Sequence, residues 1–152
     1  MEQLTKVAEL EVSYIPISDW NNQPQITTSA EAFKVIRQHF APNTVFLQEQ
    51  FVVLYLNRNN RVMAAYRCSA GGITGTVADI RLILATALKV LATGMVIAHN
   101  HPSGNLKPSR ADEELTRKIK ESGKLMDITL VDHLILTGRD QEYFSFADDG
   151  LL

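Results

Sequence analysis

Phe51, Val52, Val53, Leu54, Tyr55 and Leu56 form an unbroken apolar run between Gln50 and Asn57. A strand with one solvated face alternates polar and apolar side chains, whereas a strand apolar at every position needs cover on both faces. The run therefore predicts a buried strand in a sheet on which other elements pack. Asn59-Asn60 supplies a turn whose residues tolerate positive φ, so Arg61 to Tyr66 should return as the partner of a hairpin. Met95 to Ala98 is a second, shorter apolar run and reads as another buried strand.

Helical signals flank these strands. Ser29 can cap a helix in which Phe33, Ile36 and Phe40 share a face, with Pro42 stopping it soon after. Gly71, Gly72 and Gly75 mark a loop ending at Thr76. Thr76 and Asp79 then have capping-box spacing ahead of Ile80, Ile83, Leu84, Ala87, Leu88 and Leu91, and Gly94 is placed to end that helix. Another helix should run from Ser109 to about Ser122, with Gly123 as its stop, followed by strands near Leu125 to Val131 and Leu134 to Thr137. The order predicts an α/β domain with a mixed sheet over residues 29–152. Residues 1–28 read as an arm, with a short strand at Val12 to Ile17 and a loop at Asn21-Asn22-Gln23-Pro24. An exposed strand edge in that arm would support a homodimer.

Composition narrows the function classes. The one cysteine, Cys68, excludes an internal disulfide and a thiolate-rich metal site, and reads as a small buried hydrophobe. Acids at Glu2, Glu9 and Glu11 break any secretion-signal pattern, and no apolar run approaches bilayer length, so a cytoplasmic location without membrane contact is expected. The net charge of -2 leaves no electrostatic footprint for nucleic acid. Arg110, Arg117, Lys118, Lys120 and Lys124 are candidates for a local basic patch, read first as a solvated helix face.

Chemistry concentrates where the second apolar run ends, in His99-Asn100-His101-Pro102-Ser103-Gly104. Residues i and i+2 of an extended segment point the same way, so both imidazoles can face one point. Asp112 can return a carboxylate from the first turn of the next helix. Two neutral imidazoles and a carboxylate make the three-ligand set of a catalytic zinc site, with the fourth position left for water. Two plainer readings stand beside this one. A His-x-His pair is by itself a weak metal signal, and Ser109-x-x-Asp112 is also an ordinary capping box. A helix N-terminus can serve both ends, since it positions a hydroxyl and a carboxylate.

The string His99-Asn100-His101-Pro102-Ser103-Gly104, with Pro108-Ser109 and Asp112, closely resembles the signature of the RadC-like proteins of the MPN/JAMM metalloprotein superfamily. The wider pattern is an upstream Glu, then His-x-His, seven residues, Ser, two residues and Asp; Pro102 to Pro108 supplies the seven. Asp132-His133-Leu134-Ile135 and Tyr143-Phe144-Ser145-Phe146 look RadC-like as well, and the resemblance covers roughly Phe46 to Leu152. It implies a three-layer fold of the cytidine-deaminase-like (JAB/MPN) type, with a mixed central sheet and a zinc ion at the end of a central strand.

In the peptidase members a zinc-activated water attacks a peptide or isopeptide carbonyl. The upstream Glu moves the proton to the leaving amine, and the serine holds the oxyanion. Carried over, His99, His101 and Asp112 are the ligands, Ser109 is the oxyanion donor, and Glu49, just before the apolar strand, is the base. Glu31, in a surface helix, is a poor rival. Asp132 and His133 are left between a role behind the metal and a structural one. Longer RadC proteins carry an N-terminal helix-hairpin-helix segment, but no such Gly-rich hairpin precedes Phe46, so DNA association and a DNA-repair role lack support in the residues. The expectation is a zinc metallohydrolase acting on an amide bond in a peptide or protein; the rivals are a non-catalytic interaction or DNA-associated module keeping the fold and, less favoured, a metal-dependent nuclease.

Overall fold

The computed structural model describes residues 6–70 and 78–152. Five strands form one sheet: β1 (Gln50–Leu56), β2 (Val62–Ala70), β3 (Gly94–Asn100), β4 (Thr129–Leu136) and β5 (Tyr143–Ser145), in the order β2-β1-β3-β4-β5. Only β3 and β4 are parallel; every other neighbouring pair is antiparallel. The sheet is thus mixed, as the sequence predicts. Among the described residues three α-helices accompany it: α1 (Ser29–Ile36), α2 (Ile80–Lys89) and α3 (Arg110–Leu125).

The apolar runs account for the layering. Every residue of β1 and β3 is buried. Val52, Leu54, Val96 and Ala98 pack with Phe33 and Ile36 of α1 on one face. Phe51, Val53, Met95 and Ile97 pack with Ile83 and Ala87 of α2 and Ile119 of α3 on the other. The result is a three-layer α/β domain, the layering that the resemblance implies. Alternation along β3 therefore assigns each side chain to a helix layer.

β4 departs from simple alternation. Met95 pairs with Leu130 and Val96 with Asp132, which leaves Val131 as an extra residue. A bulge of this kind re-aims the side chains that follow it. Leu130 packs on the α2/α3 side and Val131 on the α1 side. Past the bulge, Asp132 turns toward the α1 side and His133, opposite Ile97, toward the α3 side.

Several boundaries differ from the sequence expectation. The cap of α1 is Thr28, in a capping box with Glu31, and Ser29 is the first helical residue. Asp79 caps α2 by accepting from the Arg81 N–H; the Gly71 to Thr76 loop and the Thr76 half of the expected box lie outside the described residues. Gly94 does not end α2. The helix stops at Lys89, Leu91 takes the left-handed turn with φ 54°, and Gly94 opens β3. The two strands expected between Leu125 and Thr137 are one strand, β4, and α3 runs through Gly123 to Leu125.

Val12 to Ile17 is not a strand, and Leu10, Ile15 and Ile17 stand exposed. A 3-10 turn at Trp20–Asn22 occupies the expected loop. Beyond it the Ile26 N–H donates to Asn60 O and the Val62 N–H to Pro24 O, tying this segment to the end of the hairpin. Among the described residues no helix is long and apolar enough to cross a membrane.

Gly123 serves contact rather than termination. A Cβ there would lie 2.5 Å from the carbonyl oxygen of Ile128, and the left-handed residue of the turn is Asp127, φ 54°. Alanine would gain about 1 kcal/mol of helix propensity, but the clash is with backbone that anchors the turn into β4. Gly123→Ala is expected to destabilise the fold by about 1–3 kcal/mol, read as a lowered urea midpoint at unchanged slope.

Candidate metal centre

His99 is the penultimate residue of β3 and His101 the first beyond it, on the α3 side of the sheet. The His101 N–H donates to Leu136 O at 2.7 Å, so the chain is still held against β4 where the second imidazole leaves it. The chain then turns at Gly104, φ 82°, and reaches the N-terminus of α3. Ser109 caps that helix: its Oγ accepts from the Asp112 N–H at 3.1 Å, and Asp112 Oδ2 accepts from the Ser109 N–H at 2.7 Å. The capping box is real, and it aims the Asp112 carboxylate at the two imidazoles.

His99 Nε2 and His101 Nε2 lie 2.9 Å apart, Asp112 Oδ1 lies 3.2 Å from the first, and Asp112 Oδ2 lies 3.3 Å from the second. Donors bound to one tetrahedral ion at about 2.0–2.1 Å sit about 3.3 Å from one another. The three groups thus occupy three corners of such a tetrahedron. His101 Nδ1 is 2.6 Å from Asn105 O, a carbonyl that only accepts, so the neutral form of the ring carries its proton on Nδ1 and has its lone pair on Nε2, facing inward. Lone pairs and a carboxylate packed this closely call for a cation. Among the described residues, His99, His101 and Asp112 form a group able to hold a metal ion.

The electrostatics agree. Burial alone would raise the Asp112 carboxyl, but the His101 and His99 imidazoles set against it overrule burial and hold the group far below the usual carboxylate range. The Asp112 carboxylate raises His101 against the opposing effect of burial, with the Asn105 carbonyl and the charge of Glu49 adding to the rise. A proton on His101 does part of a metal ion's work in the metal-free chain.

Glu49 precedes β1, and β1 is the direct neighbour of β3. Phe51, just past Glu49, pairs with His99, and the charge of Glu49 acts on His101. Asn100 explains how that position is held. Its side chain points away from the histidines, fully buried, where its Oδ1 accepts from the Gln50 N–H at 2.6 Å and its amide donates to Gln48 O at 2.9 Å and Val45 O at 2.6 Å. Both chain neighbours of Glu49 are thereby tied to the residue between the two histidines. Sequence reading assigns Asn100 no role, although its alternation against His99 and His101 places it on the opposite face.

Asp132 and His133 separate on opposite sides of the sheet. The Asp132 carboxylate accepts from the Ser145 hydroxyl at 2.6 Å, the Ala147 N–H at 3.0 Å and the His133 N–H at 2.7 Å, so it locks the C-terminal strand. His133 is fully buried, stacked on Phe146 at 4.6 Å, and its Nε2 is 2.8 Å from His99 Nδ1. Burial drives its pKa well below the ordinary imidazole value, so the ring is neutral. Cys68 is partly buried, and burial pushes its thiol up to about 12, outside nucleophilic range near neutrality. Arg110, Arg117, Lys118, Lys120 and Lys124 are exposed along α3, and Arg110 pairs with Glu114 one turn on.

A three-layer α/β domain that gathers two strand-borne histidines and a helix-borne aspartate is a JAB-type domain with a candidate metal centre. The chain belongs to the RadC-like JAB domain family, whose model matches residues 26–151. It is 42% identical over 127 residues to a UPF0758 protein of Flavobacterium johnsoniae, covering 84% of this chain and 53% of that one. A UPF0758 protein of Porphyromonas gingivalis is 39% identical over 150 residues, 98% of this chain and 64% of its own length. UPF0758 protein YfjY of Escherichia coli is 41% identical over 105 residues, 69% of this chain and 64% of that protein. The chain thus spans between half and two thirds of the length of these relatives.

The raised His101 pKa fixes a sign for stability in the metal-free chain. The protonated ring and Asp112 stabilise the fold fully below the ordinary imidazole value of 6.5, and that contribution disappears as pH rises through the raised value. The Asp112 side of the pair is lost only as pH falls through its depressed value. Urea midpoints of metal-free protein should therefore decline as pH rises above 6.5, and His101→Gln should flatten the decline.

Proposed function

We propose that this chain is a zinc-dependent hydrolase that cleaves an amide bond, in a peptide or an isopeptide. One observation carries the reading: His99 Nε2, His101 Nε2 and an Asp112 carboxylate oxygen converge within 4.8 Å, and the charge of Glu49, just before the neighbouring strand β1, acts on His101. His99, His101 and Asp112 would hold the ion. Bound there, zinc would supply Lewis acidity and water acidified to about neutral pH.

The remaining steps belong to side chains. Glu49, half-buried at the start of β1, takes the proton from the attacking water and delivers it to the departing amine, the general base and acid of the reaction. Its charge already reaches His101, which supports that placement. The Ser109 Oγ accepts from the Asp112 N–H and keeps its own proton free for a growing oxyanion. The same hydroxyl that caps α3 thus serves the transition state, while the capping box keeps it beside the Asp112 carboxylate.

Two substitutions separate holding the ion from chemistry. Elemental analysis of protein purified without added metal should find about one zinc per parent chain and little in His101→Ala, with the fold retained because the layers on β1 and β3 do not need it. A His101→Ala protein that keeps its zinc would remove His101 from the ligand set. Glu49→Gln should bind zinc as the parent does and lower kcat by about 10²–10⁴-fold on any amide the parent cleaves. Unchanged turnover would remove Glu49 as the base, and a zinc-loaded parent inert on peptide and isopeptide panels would sink the hydrolase reading.

A further inference from the structure

We propose that Thr116 and His133 are positioning residues for the metal: together they fix the proton of His99 on Nδ1 and so keep its Nε2 bare for the ion. The inference rests on the metal reading above and adds two residues to it. Its warrant is the direction of three hydrogen bonds. Thr116 Oγ1 lies 2.6 Å from the carbonyl oxygen of Asp112, one helical turn back on α3. A carbonyl cannot donate, so the hydroxyl spends its single proton there.

The rest follows by elimination. His133 Nδ1 is 2.6 Å from the same Thr116 oxygen, which has only lone pairs left, so His133 Nδ1 carries a proton, and a ring with no solvent exposure holds only that one. His133 Nε2 is then an acceptor, and its neighbour at 2.8 Å, His99 Nδ1, must donate. A neutral His99 with its proton on Nδ1 has a lone pair on Nε2, the atom that faces His101 and Asp112. The path closes on itself. It leaves one ligand, Asp112, through its backbone carbonyl, passes Thr116 and His133, and returns to a second ligand, His99.

Burial makes the order of protons strict. Thr116, His133 and His99 are all buried, 2%, 0% and 4% exposed. Reversing the order would leave the Thr116 oxygen and the Asp112 carbonyl oxygen 2.6 Å apart with no proton between them, and would leave His99 Nε2 without a lone pair for an ion. Phe146 stacked on His133, with the two rings 8° from parallel, and the bulge at Val131 hold the imidazole in this plane. Partners behind a metal-binding histidine set its tautomer and orientation.

Thr116→Val tests this without touching the ion. The side chain keeps its shape and loses the hydroxyl, so His133 Nδ1–H has no acceptor; His133 can then carry its proton on Nε2 and push the His99 proton onto the ligating nitrogen. Zinc affinity, measured by competition with a chromophoric chelator, should fall about 10–100-fold, while Thr116→Ser, which restores the hydroxyl, should bind like the parent. Thermal melts of the metal-free variants verify folding. Nitrogen-detected NMR of the metal-free parent should find His99 protonated on Nδ1, a readout that needs no variant.

Parent-like affinity in a folded Thr116→Val, or a His99 proton on Nε2 in the parent, overturns the proposal while leaving the three ligands in place. A parent that binds no zinc although His99 is protonated on Nδ1 overturns the metal reading, and the positioning role falls with it.

Discussion

Strand β3 is paired on both edges and covered on both faces, and the geometry of the candidate centre follows from that double burial. A strand with no solvated face cannot slip by one residue without exchanging its two sets of side chains between helix layers. Met95 and Ile97 belong to the α2/α3 side, so His99 and His101 do too. Val96 and Ala98 belong to the α1 side, so Asn100 points there. One register thus aims two imidazoles at the N-terminus of α3 and an amide at the loop that carries Glu49.

The N-terminus of α3 contributes a second constraint with two uses. Asp112 satisfies an orphan N–H of its own helix and presents its carboxylate to the imidazoles. A carboxylate at a helix start is favoured by the helix dipole, which helps it stay ionised despite partial burial. Capping and metal binding therefore share the side chain without conflict. The cost of bringing lone pairs and a carboxylate together falls on the metal-free chain, which recovers part of it by raising His101.

Much of this was readable from the residues. The runs Phe51 to Leu56 and Met95 to Ala98 announce buried strands because no polar side chain interrupts them, and His99-x-His101 follows from their alternation. Ser109-x-x-Asp112 is a local motif, closed within one helical turn, and it folds as its spacing predicts. Helix ends were harder to place. Gly94 and Gly123 look like stops, yet Leu91 and Asp127 take the left-handed conformations, and the two glycines lie inside a strand and a helix instead. At Gly123 the carbonyl of Ile128, brought back by the turn at Asp127, occupies the space where a side chain would be.

Sequence by itself determined the layered α/β class, the buried central strands and the residues that can bind a metal, because each depends on periodicity or spacing within one segment. Tertiary structure decided which of those residues meet. That β1 lies beside β3 brings the charge of Glu49 to bear on His101, and that α3 packs on β4 brings Thr116 to His133. The extra residue at Val131 decides which face of the sheet Asp132 and His133 each meet. A bulge is a property of two paired strands, and a hydrogen-bond direction depends on every acceptor around a proton. Neither exists until the chain has folded.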